Sequence, residues 1–137
     1  MNCLKHIVLL TGMCLIFAHD PTPVEFVYTQ SIQQAFYLIY SVTINGVSLD
    51  ADDWVGAFNG DVCVGARQWD ITQCNSNICD VPVGGDDGSG ASSGYMLSGD
   101  SPTFKIYDSS EDEYLDAFPT ENFPWYSNQY NVIDTLR

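Results

Sequence analysis

Most of the chain is written in short stretches whose apolar residues fall on alternate positions or in compact β-branched and aromatic runs. Residues 24–28 (VEFVY) alternate, with Val24, Phe26 and Tyr28 on one face and Glu25 on the other. Residues 35–44 (AFYLIYSVTI) make a longer run that is followed at once by Asn45-Gly46. An Asn-Gly pair suits a type I′ hairpin turn, because both central residues there need positive φ. The arrangement recurs at 54–58 (WVGAF), then Asn59-Gly60, then 61–67 (DVCVGAR). Further strands are expected at 80–83, 94–97, 103–107, 114–118 and 131–136. No sustained helical stripe interrupts them after the first twenty residues. Many short strands at this spacing predict an all-β chain: an antiparallel β-sandwich, Ig-like or jelly-roll-like, with an extended N-terminal strand.

Two segments have the composition of loops. Residues 84–94 hold five glycines and no large apolar side chain, and residues 108–113 (DSSEDE) form an acidic turn between aromatic-bearing strands. The first eighteen residues differ from everything after them. A short polar start carrying Lys5 is followed by twelve mostly apolar residues, IVLLTGMCLIFA, that end on a small one. This is the layout of a secretory signal peptide with cleavage near Ala18, since a membrane span needs roughly 20 apolar residues. The expected organisation is a signal peptide at 1–18, an N-terminal extension or donor strand at 19–30, and one sandwich domain at 31–137. Pro21 and Pro23 keep the start of the extension non-helical.

Charge and cysteine content narrow the function classes. Without Lys5, only Arg67, Lys105 and Arg137 stand against eighteen acidic residues. Such a surface repels nucleic-acid phosphates and anionic lipid heads, so no nucleic-acid partner, and no membrane partner after signal cleavage, is expected. Secretion implies an oxidising compartment, and three cysteines remain beyond residue 18: Cys63, Cys74 and Cys79. Cys74 and Cys79 enclose a short polar loop and read as a locally closed pair. Cys63 sits in an alternating strand, as a buried free thiol or as a partner of either of the others. Zinc does not suit this spacing, and His19 is the one histidine left. A Ser-His-Asp or Cys-His mechanism therefore has no base inside the fold, and no enzyme is expected.

Two binding chemistries remain. Asp50, Asp52 and Asp53, and separately Asp86 and Asp87, place carboxylates on turns where carbonyls are also free, so they are candidate calcium ligands. Acidic residues beside glycine are equally ordinary turn formers. No other cofactor is indicated. Trp54, Trp69, Trp125 and eight tyrosines could stack on sugars. Trp54 opens an apolar strand and reads as core, whereas Trp125, in Phe123-Pro-Trp-Tyr126, is the expected exposed aromatic.

Residues 52–67 (DDWVGAFNGDVCVGAR), with DVPV at 80–83, GDDG at 85–88, GYM at 94–96, Gly99-Asp100 and PTFKIYD at 102–108, resemble a β-sandwich module of environmental extracellular proteins. Gln34-Ala-Phe-Tyr37 and Asn131-Val-Ile-Asp134 fit the same module, so the resemblance covers nearly everything after the leader. The chain also resembles single-domain subunits of pilus-like extracellular filaments whose neighbours interlock by exchanging N-terminal strands. The resemblance implies a sandwich fold and self-assembly, and it brings no catalytic residues.

The expected role is thus a secreted structural subunit that polymerises head to tail, with Val24, Phe26 and Tyr28 as anchors donated to a neighbouring copy. The alternative is a monomeric adhesion or carbohydrate-binding module that recognises surface glycans. No Asn-x-Ser/Thr sequon occurs.

Overall fold

The computed structural model describes residues 21–137. The expected signal peptide at 1–18, its expected cleavage at Ala18, and His19 lie outside the described residues. Eight strands follow in order: β1 (Gln34–Ile44), β2 (Val47–Ser48), β3 (Trp54–Asn59), β4 (Val62–Gln68), β5 (Cys79–Gly84), β6 (Thr103–Asp108), β7 (Glu113–Ala117) and β8 (Tyr130–Leu136). They form two sheets. β1 is central to the first, pairing with β2 and β5 antiparallel and with β8 parallel. The second runs β4-β3-β6-β7 and is antiparallel throughout. The all-β sandwich expected from the patterning is therefore the fold, with one parallel pair where the last strand lies beside the first.

The turns follow from local chemistry. Ile44 pairs with Val47 across Asn45 and Gly46, whose φ values of 51° and 81° are those a type I′ turn requires. In the second hairpin Asn59 itself pairs with Val62, so the central residues are Gly60 and Asp61 rather than Asn59 and Gly60. Of these two only Gly60 has positive φ, and a register shift between Ala57 and Phe58 absorbs the difference.

Alternation decides what each sheet buries. Ala35, Tyr37 and Ile39 of β1, with Val81 and Val83 beside them on β5, face Val55 and Ala57 of β3 and Phe104 and Ile106 of β6 in one continuous core. Tyr37 sits edge-on to Phe104 with ring centroids 5.8 Å apart, and its hydroxyl donates to the Phe123 carbonyl at 3.1 Å. That burial raises the Tyr37 pKa well above the ordinary phenol value.

Three expectations need correction. Residues 24–28 are not a strand: Val24–Phe26 forms one turn of 3₁₀ helix after Pro23, and Val24 and Phe26 point in different directions. Proline at 21 and 23 holds φ near −65° and removes N–H donors, which disfavours a paired ladder there. Residues 94–97 contribute a single parallel bridge, Gly85 to Met96, instead of a strand. Trp125 is not an exposed aromatic. It is 1% exposed, its Nε1 donates to the Val83 carbonyl at 2.9 Å, and Gly85 leaves the room its ring occupies, since a Cβ there would lie 2.2 Å from the ring.

Candidate functional site

The outer face of the β4-β3-β6-β7 sheet is apolar, and the chain covers it with its own N-terminal segment. Odd positions of β3, Val55 and Ala57, enter the main core, so the even ones, Trp54, Gly56 and Phe58, face outward. With Cys63 and Ala66 of β4 and Tyr107 and Tyr114 of the neighbouring strands they form a second hydrophobic cluster. Its centre is Phe26, which is fully buried. The Phe26 ring meets Phe58 edge-on at 5.7 Å and Tyr114 at 5.4 Å. Gly56 forms the floor of this socket, where an added Cβ would stand 2.9 Å from the ring. Glycine inside a strand marks this kind of close approach.

Residues 21–30 thus form a strap rather than a strand. Around Phe26 its grip is light: the Glu25 N–H donates to the Tyr114 hydroxyl at 3.3 Å, and Glu25 pairs with Lys105 at 3.3 Å. Such a half-exposed ion pair contributes at most about 1 kcal/mol. Lys105 also lies 5.1 Å above the Phe58 ring. Val24 and Val27, on either side of the knob, are exposed. Tyr28 is half-buried in the same cluster, and burial raises its pKa, with nearby Cys63 adding to the shift. Of the three expected anchors, one fills the socket, one packs partly beside it, and Val24 faces solvent.

The attachment tightens where the strap enters the domain. The Tyr95 hydroxyl accepts from the Thr29 N–H at 2.7 Å and donates to the Thr29 carbonyl at 2.9 Å. Buried Ser31 donates to the Gly85 carbonyl at 2.6 Å, and the Ile32 N–H donates to Asp87 at 3.2 Å. Asp87 also accepts from the Ser89 N–H and the Ser92 hydroxyl. Bonds from Ser89 first, and then from Ser92, hold its carboxyl well below the usual range.

The candidate calcium ligands occupy two separate loops. Both carboxylate oxygens of buried Asp53 serve the protein, one accepting from the Asp50 N–H at 2.8 Å and the other from the Ser109 N–H and hydroxyl at 3.0 and 3.1 Å. Asp86 accepts from the Gly88 N–H. Among the described residues, no three or more His, Cys, Asp or Glu side chains gather where they could hold a metal ion.

Cys74 and Cys79 are disulfide-bonded, and Cys63 is a buried free thiol. Burial pushes the Cys63 pKa up to about 11, so the thiol stays protonated and inert inside the Phe26 cluster.

Sequence reasoning named Phe26 but not the socket, whose one visible signal was a glycine amid the apolar run of β3. It also missed an aromatic pair on the opposite outer face of the sandwich, where Phe36 and Tyr130 stack at 5.2 Å. The signal there was the even positions of β1, Phe36, Leu38 and Tyr40, which remain apolar although the odd ones fill the core.

Comparison with protein-family models, curated proteins and solved structures finds no match for this chain.

Proposed function

We propose that this chain is a structural subunit of an extracellular filament, secreted by its leader and joined head to tail through the strap. The observation that carries the proposal is the Phe26 knob, fully buried in a glycine-floored socket yet borne on a segment that joins neither sheet. A knob of this kind is transferable. The contacts that Phe26 makes with Gly56, Phe58 and Tyr114 of its own domain are the contacts it would make with those of a neighbour. Exchange costs little contact energy, while linkage through a polymer is gained.

The geometry modifies the expected donor-strand scheme. The donated element is a side chain docked on a sheet face, and Thr29 to Ile32, held by Tyr95, Gly85 and Asp87, is the pivot. Phe26 lies three residues before Thr29, a span of at most about 11 Å, so a neighbour's socket must lie within about that distance of Thr29, extended only by the length of the Phe26 side chain. The Cys74–Cys79 disulfide favours an oxidising compartment. No catalysis is proposed.

Negative-stain electron microscopy tests the reading with the chain beginning at His19, a form beginning at Gln30, and the Phe26→Ala and Gly56→Ala variants. Fibres are expected from the first alone. Gly56→Ala keeps the strap intact and crowds only the socket, forcing the Phe26 ring to shift from a Cβ 2.9 Å away, which separates weakened docking from lost folding. Single particles from the full mature chain, or undiminished fibres from the Gln30 form, would overturn the proposal.

A further inference from the structure

The outer face of the other sheet carries a groove of about 420 Å³, within the range of small-molecule sites, roughly 300–1,000 Å³. One wall is the stacked pair Phe36 and Tyr130, neighbours in the parallel β1–β8 register. Their rings are inclined by 19°, so each covers one face of the other, and Tyr130, 72% exposed, still offers aromatic surface to solvent where it lines the groove. The rest of the lining is mixed: Leu38 and Ile78 are apolar, while Asn75 and Ser76 of the disulfide-closed turn and Asp80 of β5 supply polar groups. Among the described residues the Asn75 and Ser76 side chains make no hydrogen bond. Asp80 uses one carboxylate oxygen for Arg67 at 2.6 Å, which leaves the other without a partner.

We propose that this groove binds neutral saccharides, specifically β-linked chains of pyranose units whose hydroxyls are equatorial. Such a ring has flat faces made of C–H groups, and the negative face of an aromatic ring attracts them. Its equatorial hydroxyls point outward in the ring plane. There they meet an amide, a hydroxyl and a carboxylate oxygen, which together can donate to and accept from sugar O–H groups. Charge selects the class. Among the described residues no cation lines the groove, Arg67 beside it is already neutralised by Asp80, and the chain carries a formal charge of −14, so acidic sugars are repelled.

The turn that presents Asn75 and Ser76 is built to hold still. Ser76 and Asn77 both adopt positive φ, at 52° and 60°, the Ile78 N–H donates to the Asn75 carbonyl at 2.9 Å, and Cys74–Cys79 closes the loop. Preorganised groups lose less freedom on binding, which matters for a shallow sugar site. The groove lies on the face away from the strap, so saccharide binding and strand exchange stand or fall separately.

Saturation-transfer NMR tests the site on the chain beginning at His19, with cellohexaose and xylohexaose as neutral probes and oligogalacturonate as the acidic one. At about 10 mM sugar, a site of roughly millimolar affinity is mostly filled. Transfer to a neutral hexaose is expected, with at least a tenfold loss in Tyr130→Ala, a several-fold loss in Asn75→Ala, and none to oligogalacturonate. Circular dichroism should be unchanged in Tyr130→Ala because that side chain is exposed. The proposal is overturned if neither neutral hexaose shows transfer, if transfer survives Tyr130→Ala undiminished, or if the acidic sugar binds as well.

Discussion

At the scale of single residues, the place a side chain takes in the fold separates aromatics that lie close together in the chain. Trp125 and Tyr130 lie five residues apart, yet the first fills the core beside Gly85 and the second is open to solvent. Phe26 gains about 1.5–3 kcal/mol from full burial, the scale for an apolar side chain removed from water. Asp87 shows how one carboxylate can tie two loops. It receives donors from Ser31 and Ile32 at the pivot and from Ser89 and Ser92 in its own loop. Because its folded pKa is depressed, the stability it contributes is fully present above the unfolded value of about 3.9 and is lost as pH falls through the lower folded value. In acid titrations followed by hydrogen exchange, protection at residues 31–33 should fall below about pH 4 in the native chain. In Asp87→Asn that protection should be lower at neutral pH and flatter across the acid range.

At the scale of elements, the strap and the disulfide turn differ in how they are held. The strap has no ladder, so its order depends on one aromatic socket and a few polar contacts at its pivot. The 74–79 turn is closed covalently and carries two non-glycine residues at positive φ. Closing so short a loop stabilises the fold by about 2 kcal/mol in the chain-entropy account, through the unfolded state. Replacing Cys74 and Cys79 together by alanine should lower stability in urea denaturation by at least that amount, since Cys79 is also fully buried in the core at the start of β5. It should leave the far-UV spectrum largely unchanged, because only Cys79 of the turn belongs to a strand and the rest of β5 keeps its pairing with β1. A loss several times larger would mean that the turn orders β5 as well.

For the whole molecule, the arrangement sets a covered outer face against an open one. The strap closes the face of β4-β3-β6-β7, while Phe36, Tyr40, Tyr130 and Val132 remain on the outside of the other sheet. Assembly in the proposed filament must bring strongly acidic subunits together, against their mutual repulsion. Raising salt from about 0.01 M to about 0.15 M shortens the screening length from about 30 Å to about 8 Å. Fibre yield, followed by sedimentation, should therefore rise with salt. A fall would show that attractive pairs such as Lys105 with Glu25 outweigh both the repulsion and the Phe26 socket.

How much of this was legible in the chain follows from the range over which each feature is decided. Period-two alternation and Asn45-Gly46 are local, so they determined the sandwich class, seven of the strands and the first hairpin. The short spacing of Cys74 and Cys79 likewise marked them as a pair, but only the structure excluded Cys63 as a partner of either. The N-terminal segment misled because alternation of Val24, Phe26 and Tyr28 mimics a strand, whereas two prolines deny it the ladder a strand needs. Which of two apolar faces is covered cannot be read from alternation, since it marks both faces of β1 and β3 alike. Only tertiary structure decided that Phe26 lies over Gly56, that Trp125 is inside, and that Phe36 meets Tyr130. Those are contacts between residues 30 to 94 positions apart, and local pattern carries no information about which distant strands become neighbours.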